Sequence, residues 1–204
     1  MRWFLLVVAW TLGSAAPVAA AVPPNVHAAP FPPEEAAVKR LDLFLDVFPV
    51  HGSFEYVDSF GARRPGGRRH RGTDVHAPKG TPVVAVADGV VTRMGWNPTS
   101  GWLLEIRHRD GWSSVYLHLN NDTPGTDDGR GGPAAAYAPG IFVGRRVSAG
   151  EVVAYVGDSG NAEHTVSHVH FELRRGGESV NPYPYLESAR IRARFDVEPE
   201  PRAH

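Results

Sequence analysis

Short apolar segments alternate with turns through most of the chain, and this pattern restricts the fold to a few architectures. Six such segments are Pro82–Ala87, Val90–Thr92, Trp102–His108, Trp112–Leu119, Glu151–Val156 and His168–Leu173. Asp88-Gly89 separates the first two and Asp110-Gly111 lies between the next two, which is typical of β-hairpin turns. Because no helical pattern separates these segments, parallel strands joined by crossover helices are not expected. The pattern therefore predicts a mainly antiparallel β domain.

The first 21 residues have the pattern of a secretory signal peptide. Arg2 precedes an apolar run over residues 3–12, and small residues follow, ending in Ala19-Ala20-Ala21. The apolar run is shorter than the roughly 20 residues that a membrane-spanning helix needs. Residues 1–21 are therefore predicted to be removed on export, which leaves no transmembrane segment, and the protein is expected to be secreted, periplasmic or in the cell envelope. An uncleaved anchor at the membrane surface is the alternative interpretation.

Composition divides the rest of the chain into three parts. Residues 22–48 begin as a proline-rich spacer and continue as an amphipathic pattern, so one short N-terminal helix is expected there. Residues 49–187 hold the predicted strands and form the main domain. Within that domain, residues 120–150 are predicted to contain a long loop rich in glycine and proline. Residues 188–204 are predicted to be an arginine-containing tail.

The chain has no cysteine, 10 histidines and a formal net charge of −1. The lack of cysteine excludes a disulfide framework, a thiolate zinc site and a thiol protease. The near-zero charge gives no reason to expect nucleic acid as a partner. Any metal chemistry must therefore use histidine and carboxylate ligands.

Three short segments carry the candidate chemistry. They are His70–Asp74, with an H-x-x-x-D spacing, the segment around His118, and the H-x-H pair His168 and His170. Each spacing is weak evidence alone, because a chain with 10 histidines contains such pairs by chance. Strand alternation puts both imidazoles of the H-x-H pair on one face, and it predicts that His118 shares a face with Tyr116.

Histidines and a carboxylate on neighbouring strands can bind a divalent cation. Two neutral imidazoles and one carboxylate, with a fourth position open to water, are typical of catalytic zinc rather than of closed structural zinc. Periodicity alone leaves a second interpretation open, in which these are buried, hydrogen-bonded histidines of an ordinary sheet.

Five sequence blocks decide between these interpretations. In chain order they are HRGTDVHAPKGTPVVAVADGVV, YLHL, VGDSGN, SHVHFELR and VNPYPYL. Their order and separation resemble the lysostaphin-type, LytM-like zinc metalloendopeptidases of metallopeptidase family twenty-three over residues 49–187. The resemblance implies an antiparallel β-sheet and barrel-sandwich hybrid, the duplicated hybrid motif fold. It also implies an enzyme that cuts peptide bonds in the stem peptides or cross-bridges of bacterial peptidoglycan.

The resemblance further implies one zinc ion per domain and assigns five residues. The metal ligands would be His70, Asp74 and His170, and two catalytic histidines that do not bind the metal would be His118 and His168. A water molecule activated by the zinc ion would attack the scissile carbonyl. All five positions are filled, which argues against a relative that has lost its metal.

Two other functions stay open on the sequence. The first is a non-hydrolytic module of the same fold that binds the cell wall or activates an amidase. The second is a zinc peptidase that cuts soluble glycine-rich peptides.

Several charged residues near the site have two interpretations each. Glu172 shares the period of the H-x-H pair, so it either orients a ligand imidazole or forms a surface ion pair. The arginines at positions 63, 64, 68, 69 and 71 either bind substrate carboxylates or belong to a solvated loop. The acidic residues Asp122, Asp127 and Asp128 lack the spacing of a calcium loop and are interpreted as a solvated insertion.

Overall fold

Residues 45–197 are described by a computed structural model, and they form ten β-strands and two α-helices. The strands are β1 (Glu55–Tyr56), β2 (Thr73–His76), β3 (Pro82–Val84), β4 (Gly89–Asn97), β5 (Gly101–Arg107), β6 (Trp112–Leu119), β7 (Arg146–Val147), β8 (Val152–Tyr155), β9 (His168–Arg175) and β10 (Glu178–Val180). The helices are α1 (Gly132–Ala136) and α2 (Tyr183–Val197), and two 3-10 turns span Pro65–Gly67 and Gly160–Ala162. None of the described helices is long and apolar enough to cross a membrane.

Eight of the strands form one large sheet, and two form a second, smaller sheet. The large sheet has the order β1-β2-β9-β6-β5-β4-β7, with β10 also paired to β9, and the small sheet consists of β3 and β8. All of the described strand pairings are antiparallel. The prediction of a mainly antiparallel β fold is therefore confirmed. Strand β9, which carries the H-x-H pair, lies between β2 and β6.

Strand β9 has one face in the hydrophobic core and one face directed away from it. Val169 and Phe171 are fully buried in the core, where the Phe171 ring lies 5.4 Å from the ring of Tyr116 on β6. Burial of a large apolar side chain contributes roughly 1.5–3 kcal/mol, so these residues fix which face of the strand is inside. The alternate residues, His168 and His170, therefore share the other face.

The predicted hairpin around Asp110-Gly111 is confirmed by strands β5 and β6. Asp110 has φ 55° and Gly111 has φ 73°, and the Trp112 N–H donates to the Arg109 carbonyl at 3.1 Å. Two consecutive positive φ values define a type I′ turn, whose twist matches that of paired strands. The local sequence was sufficient to predict this connection.

The predicted hairpin around Asp88-Gly89 is wrong. Strand β3 pairs with β8, whereas β4 pairs with β5 and β7. Val83 and Val84 are fully buried, and the buried residues 85–87 carry the chain from the small sheet to the large one. The demand for apolar neighbours around β3 thus outweighs the turn preference of the residues that follow it.

The ends of the chain are described only in part. The signal peptide predicted over residues 1–21 lies outside the described residues, as does nearly all of the helix predicted within residues 22–48. Residues 45–48 of that segment are not helical, and Leu45 and Phe48 are buried in the core. At the other end, α2 crosses the predicted boundary between residues 187 and 188. Its Ala189 is buried, so the predicted tail begins inside a packed helix.

Residues 120–150 contain more regular structure than a single long loop would, since α1 and β7 lie within them. The Lys79 ammonium contacts carboxylate oxygens of Asp122 at 2.8 Å, Asp127 at 2.6 Å and Asp158 at 2.9 Å. Asp122 is only 2% exposed, so its interpretation as part of a solvated insertion is wrong. The single Lys79 cation offsets part of the charge of these three carboxylates, and its contacts hold the loop against the domain.

Candidate metal centre

Strands β2 and β9 and the segment before β2 bring three ligand-type side chains together. Asp74 and His170 are direct partners in the β2–β9 register, and His170 Nδ1 lies 2.9 Å from Asp74 Oδ1. His70 Nε2 lies 3.0 Å from the same Asp74 oxygen and 2.8 Å from His170 Nδ1. The three residues that the family resemblance assigns as ligands therefore present three atoms within 3.0 Å of one another.

The backbone at Gly72 lies very close to the backbone of β9, and this approach places His70 beside β9. A Cβ atom on Gly72 would lie 2.3 Å from the Phe171 carbonyl oxygen and 2.9 Å from His170 Nε2. No larger residue fits at this point without moving the backbone. Gly72 thus lets the segment cross against β9 and allows the H-x-x-x-D spacing to bring His70 beside Asp74.

Hydrogen bonds on the far side of each ring fix the imidazole tautomers. His70 Nδ1 lies 2.9 Å from the Ser59 carbonyl oxygen, which can only accept, so this nitrogen carries the proton. His170 Nε2 lies 3.2 Å from Glu172 Oε1 and donates to it in the same way. In the neutral rings the lone pairs of His70 Nε2 and His170 Nδ1 therefore point at each other and at the Asp74 carboxylate.

Three acceptor atoms in contact require a positive charge between them. Burial alone would raise the pKa of Asp74, but a hydrogen bond donated by His170 or His70 when a site nitrogen is protonated outweighs burial and holds that pKa well below its ordinary value. The carboxylate is thus ionised, and a proton or a metal ion must balance the group. Two nitrogens and one carboxylate oxygen form the donor set of a catalytic zinc site, so the chemistry of these residues fits zinc.

The two histidines assigned as catalytic lie beside this group. His168 lies two residues before His170 on β9, and its Nε2 lies 4.0 Å from Asp74 Oδ1. The ring centroid of His118 is 5.1 Å from that of His168 and 6.1 Å from that of His170. All five residues predicted from the sequence are therefore gathered at one place.

His118 reaches this place through an irregularity that alternation does not predict. Its φ is +60°, and the β6–β9 pairing ends at the preceding residue, Leu117. The interruption turns the imidazole to the side of His168, whereas Tyr116 stays on the core face with its hydroxyl bonded to the Val86 N–H at 3.2 Å. The prediction that His118 and Tyr116 share a face is wrong for this reason.

Backbone carbonyls orient both of these imidazoles. His118 Nδ1 donates to the Ser159 carbonyl at 2.9 Å, and His168 Nδ1 donates to the Val166 carbonyl at 2.8 Å. In each ring Nε2 is therefore the unprotonated nitrogen. Burial lowers the pKa of His118 to about 4 and also lowers the pKa of His168. Both imidazoles are neutral near pH 7 and able to accept a proton.

Three of the five clustered arginines make hydrogen bonds inside the protein. Arg68 Nε donates to the Pro65 carbonyl at 3.3 Å. Arg64 Nη2 lies 2.6 Å from Asp74 Oδ2, whereas His70 and His170 contact the other carboxylate oxygen, Oδ1. Arg69 donates to the Gly61 carbonyl at 3.0 Å. The sequence did not indicate which arginine holds Asp74, nor that the carbonyls of Ser59 and Ser159 position the histidines, because backbone groups leave no side-chain signal.

Comparison with known proteins shows the family to which the chain belongs. The profile of Peptidase family M23 matches residues 68–127 and 135–182, just over half of the chain. An L-Ala--D-Glu endopeptidase of Bacillus subtilis is 32% identical over 165 residues, which covers 74% of this chain and 46% of that protein. The murein hydrolase activator NlpD of Salmonella typhimurium is 33% identical over 141 residues, 68% of this chain and 30% of that protein. The chain thus spans less than half the length of these relatives.

Solved structures give the same result. A zinc-containing peptidase from Vibrio cholerae matches with a TM-score of 0.53 and 27% identity, over 67% of this chain and 38% of that one. The catalytic domain of lysostaphin from Staphylococcus simulans matches with a TM-score of 0.52 and 25% identity, over 66% of this chain and 92% of that domain. The predicted resemblance to LytM-like, lysostaphin-type proteins is confirmed, and the chain belongs to peptidase family M23, a family of peptidoglycan hydrolases.

Proposed function

We propose that this protein is a secreted zinc endopeptidase that hydrolyses peptide bonds in bacterial peptidoglycan. The observation that carries the proposal is the convergence of three lone-pair donors, from His70, Asp74 and His170, beside the two neutral imidazoles of His118 and His168. A metal site with adjacent proton acceptors can supply both the Lewis acid and the proton transfer that hydrolysis of an amide needs.

The contacts of the site residues indicate which of them would hold the metal ion and which would orient the ligands. His70, Asp74 and His170 would hold Zn²⁺, with Ser59 and Glu172 fixing the two rings through their outer nitrogens. When bound, Zn²⁺ supplies a Lewis acid that polarises the scissile carbonyl and lowers the pKa of a water molecule toward about 7.

The two remaining imidazoles, of His118 and His168, can transfer the proton that the reaction moves. His118 and His168 present unprotonated Nε2 atoms, so together they can accept a proton from the attacking water and return it to the leaving amine. Their neutral state at pH 7 follows from burial.

Peptidoglycan peptides suit the surroundings of this centre. The relative from Bacillus subtilis is named an L-Ala--D-Glu endopeptidase. A peptide that contains glutamate and a free carboxyl terminus carries carboxylates. Arg63, Arg68 and Arg71 are exposed next to the ligand His70 and can pair with such carboxylates. Export, as the sequence of residues 1–21 predicts, would place the protein where this polymer is found.

Mass spectrometry of fragments released from purified peptidoglycan tests the proposal. The protein is expected to release peptides with a new amino terminus, to stop doing so after removal of metal with a chelator, and to recover when Zn²⁺ is added back. Release that does not respond to the chelator, or no cleavage at all by the zinc-loaded protein, would contradict it.

A second candidate function is activation of a murein hydrolase without cleavage. The 33% identity to the Salmonella typhimurium activator favours it, whereas the complete set of five site residues favours hydrolysis. Stimulation of a purified cell-wall amidase by protein treated with chelator, with no cleavage by the protein alone, would select the activator.

Glu172 is expected to strengthen zinc binding by orienting His170. It is 5% exposed, and its second oxygen accepts from Arg174 Nε at 2.9 Å and Nη2 at 2.6 Å, so the carboxylate is fixed behind the imidazole. Glu172→Gln removes the charge that favours the Nε2–H tautomer of His170. We expect zinc affinity, measured by competition with a chelating dye, to fall about 10- to 100-fold.

Glu105→Gln is the matched control for this prediction. Glu105 lies 3.9 Å from the same Arg174 guanidinium and has no described contact with His170. The zinc affinity of the Glu105→Gln variant is expected to equal that of the unmodified protein. Equal losses in both variants would show that the effect comes from Arg174 or from general charge rather than from orientation of the ligand.

A further inference from the structure

A groove of about 500 Å³ lies beside the turn that positions His118. Its walls are the end of the β4–β5 hairpin, the loop after β6 and the 3-10 turn at Gly160–Ala162. Ser159, whose carbonyl accepts from His118, immediately precedes this turn. The volume is within the range of about 300–1,000 Å³ that is common for small-molecule sites.

Two tryptophans form the aromatic side of the groove. Trp96 and Trp102 are direct cross-strand partners on β4 and β5, so their side chains share one face. Trp102 is held by an edge contact with Tyr137, with ring centroids 5.9 Å apart at 82°. Trp96 is 54% exposed. An anchored indole next to an open one offers a flat apolar surface to a ligand.

The polar side of the groove is formed by Asn121 and Glu163. Asn121 Nδ2 donates to Glu163 Oε2 at 3.0 Å, so the amide fixes the carboxylate, which is the charged acceptor of the groove. The described lining includes the Glu163 carboxylate and no lysine or arginine. The groove therefore disfavours anions, and a ligand that donates hydrogen bonds to Glu163 while it stacks on the indoles suits both sides of the groove.

We infer that this groove binds the pyranose ring of a neutral sugar. The C–H face of such a ring stacks on an indole, as Trp96 would allow, and its hydroxyl or acetamido donors can reach Glu163. A carboxylate-bearing stem peptide fits poorly here and better beside the exposed arginines near His70. The inference rests on the proposed function in one respect, because the sugar it would meet in peptidoglycan is the glycan strand that carries the scissile peptide.

Calorimetric titration with chitotetraose, an uncharged oligomer of N-acetylglucosamine, tests the inference. The protein is expected to bind it, Trp96→Ala to weaken the affinity by roughly tenfold or more, and Trp96→Phe, which retains a ring, to fall between the two. Phe142→Ala removes another exposed aromatic side chain outside the groove lining, and its affinity is expected to be unchanged.

Two results would overturn the inference. One is chitotetraose affinity that is equal in the unmodified protein and Trp96→Ala, or absent from both. The other is that the protein binds tetraglycine but not chitotetraose, and that Trp96→Ala loses the binding of tetraglycine. This result would show that the groove binds a peptide. Chitotetraose contains no scissile stem peptide, and the measurement is heat of binding. The inference of a sugar site can therefore be wrong while the protein cleaves peptidoglycan, and it can be right when the protein does not.

Discussion

His70→Ala and Asp74→Ala are each expected to lose bound zinc and to lose hydrolysis of peptidoglycan by about 10³-fold or more. Removing either side chain leaves two of three donor atoms, and a catalytic zinc site with three protein ligands does not tolerate that loss. The metal supplies several kcal/mol of stabilisation to the developing charge, and each 1.36 kcal/mol is a factor of ten in rate. Zinc content by atomic absorption and the rate of peptide release are the two measurements.

Both variants should remain folded, which separates loss of metal from loss of structure. His70 and Asp74 are not members of the hydrophobic core cluster, so removing either side chain opens no cavity among the apolar core residues. His51→Ala, which removes an exposed histidine, is the matched control and should keep both zinc and activity. Stoichiometric zinc in Asp74→Ala would contradict the ligand assignment.

Strand alternation and one turn were enough to predict much of this site. The period-two pattern places His168 and His170 on one face because Val169 and Phe171 must be inside, and the Asp110-Gly111 turn sets the β5–β6 register. Pairing of Asp74 with His170 could not be read in the same way. It depends on which strand lies next to β9, and that is decided by contacts between residues 96 positions apart.

What the sequence missed involves backbone groups and exceptions to periodicity. The partner of β3 was mispredicted because a local turn signal carries no information on which distant strand covers Val83 and Val84. The wrong face for His118 has a related cause, since a single residue with positive φ reverses the alternation and nothing in Tyr116-Leu117-His118 marks it. The Lys79 contacts likewise join Asp122 and Asp158 only after the loop has folded.

His118→Ala is expected to retain zinc and to lower the turnover number by about 10²- to 10⁴-fold, the usual contribution of a positioned acid or base. The side chain has its Nε2 directed to the site and its Nδ1 bound to Ser159, and it supplies none of the three converging donor atoms. Because burial keeps this imidazole neutral, it is available as a proton acceptor throughout the neutral range. Zinc content and single-turnover rates should therefore separate in this variant, unlike in Asp74→Ala.

Tyr116→Phe provides the contrast, because the two residues are neighbours that the sequence placed on one face. The Tyr116 hydroxyl lies in the core, bonded to the Val86 N–H and to Ser114 Oγ. Its removal should cost about 1 kcal/mol of unfolding free energy and leave the rate constant for hydrolysis unchanged. If His118→Ala loses zinc together with activity, or if it stays fully active, the division between metal-holding and proton-transferring histidines fails. If Tyr116→Phe loses turnover with zinc in place, the irregularity at His118 does not separate the two side chains as described.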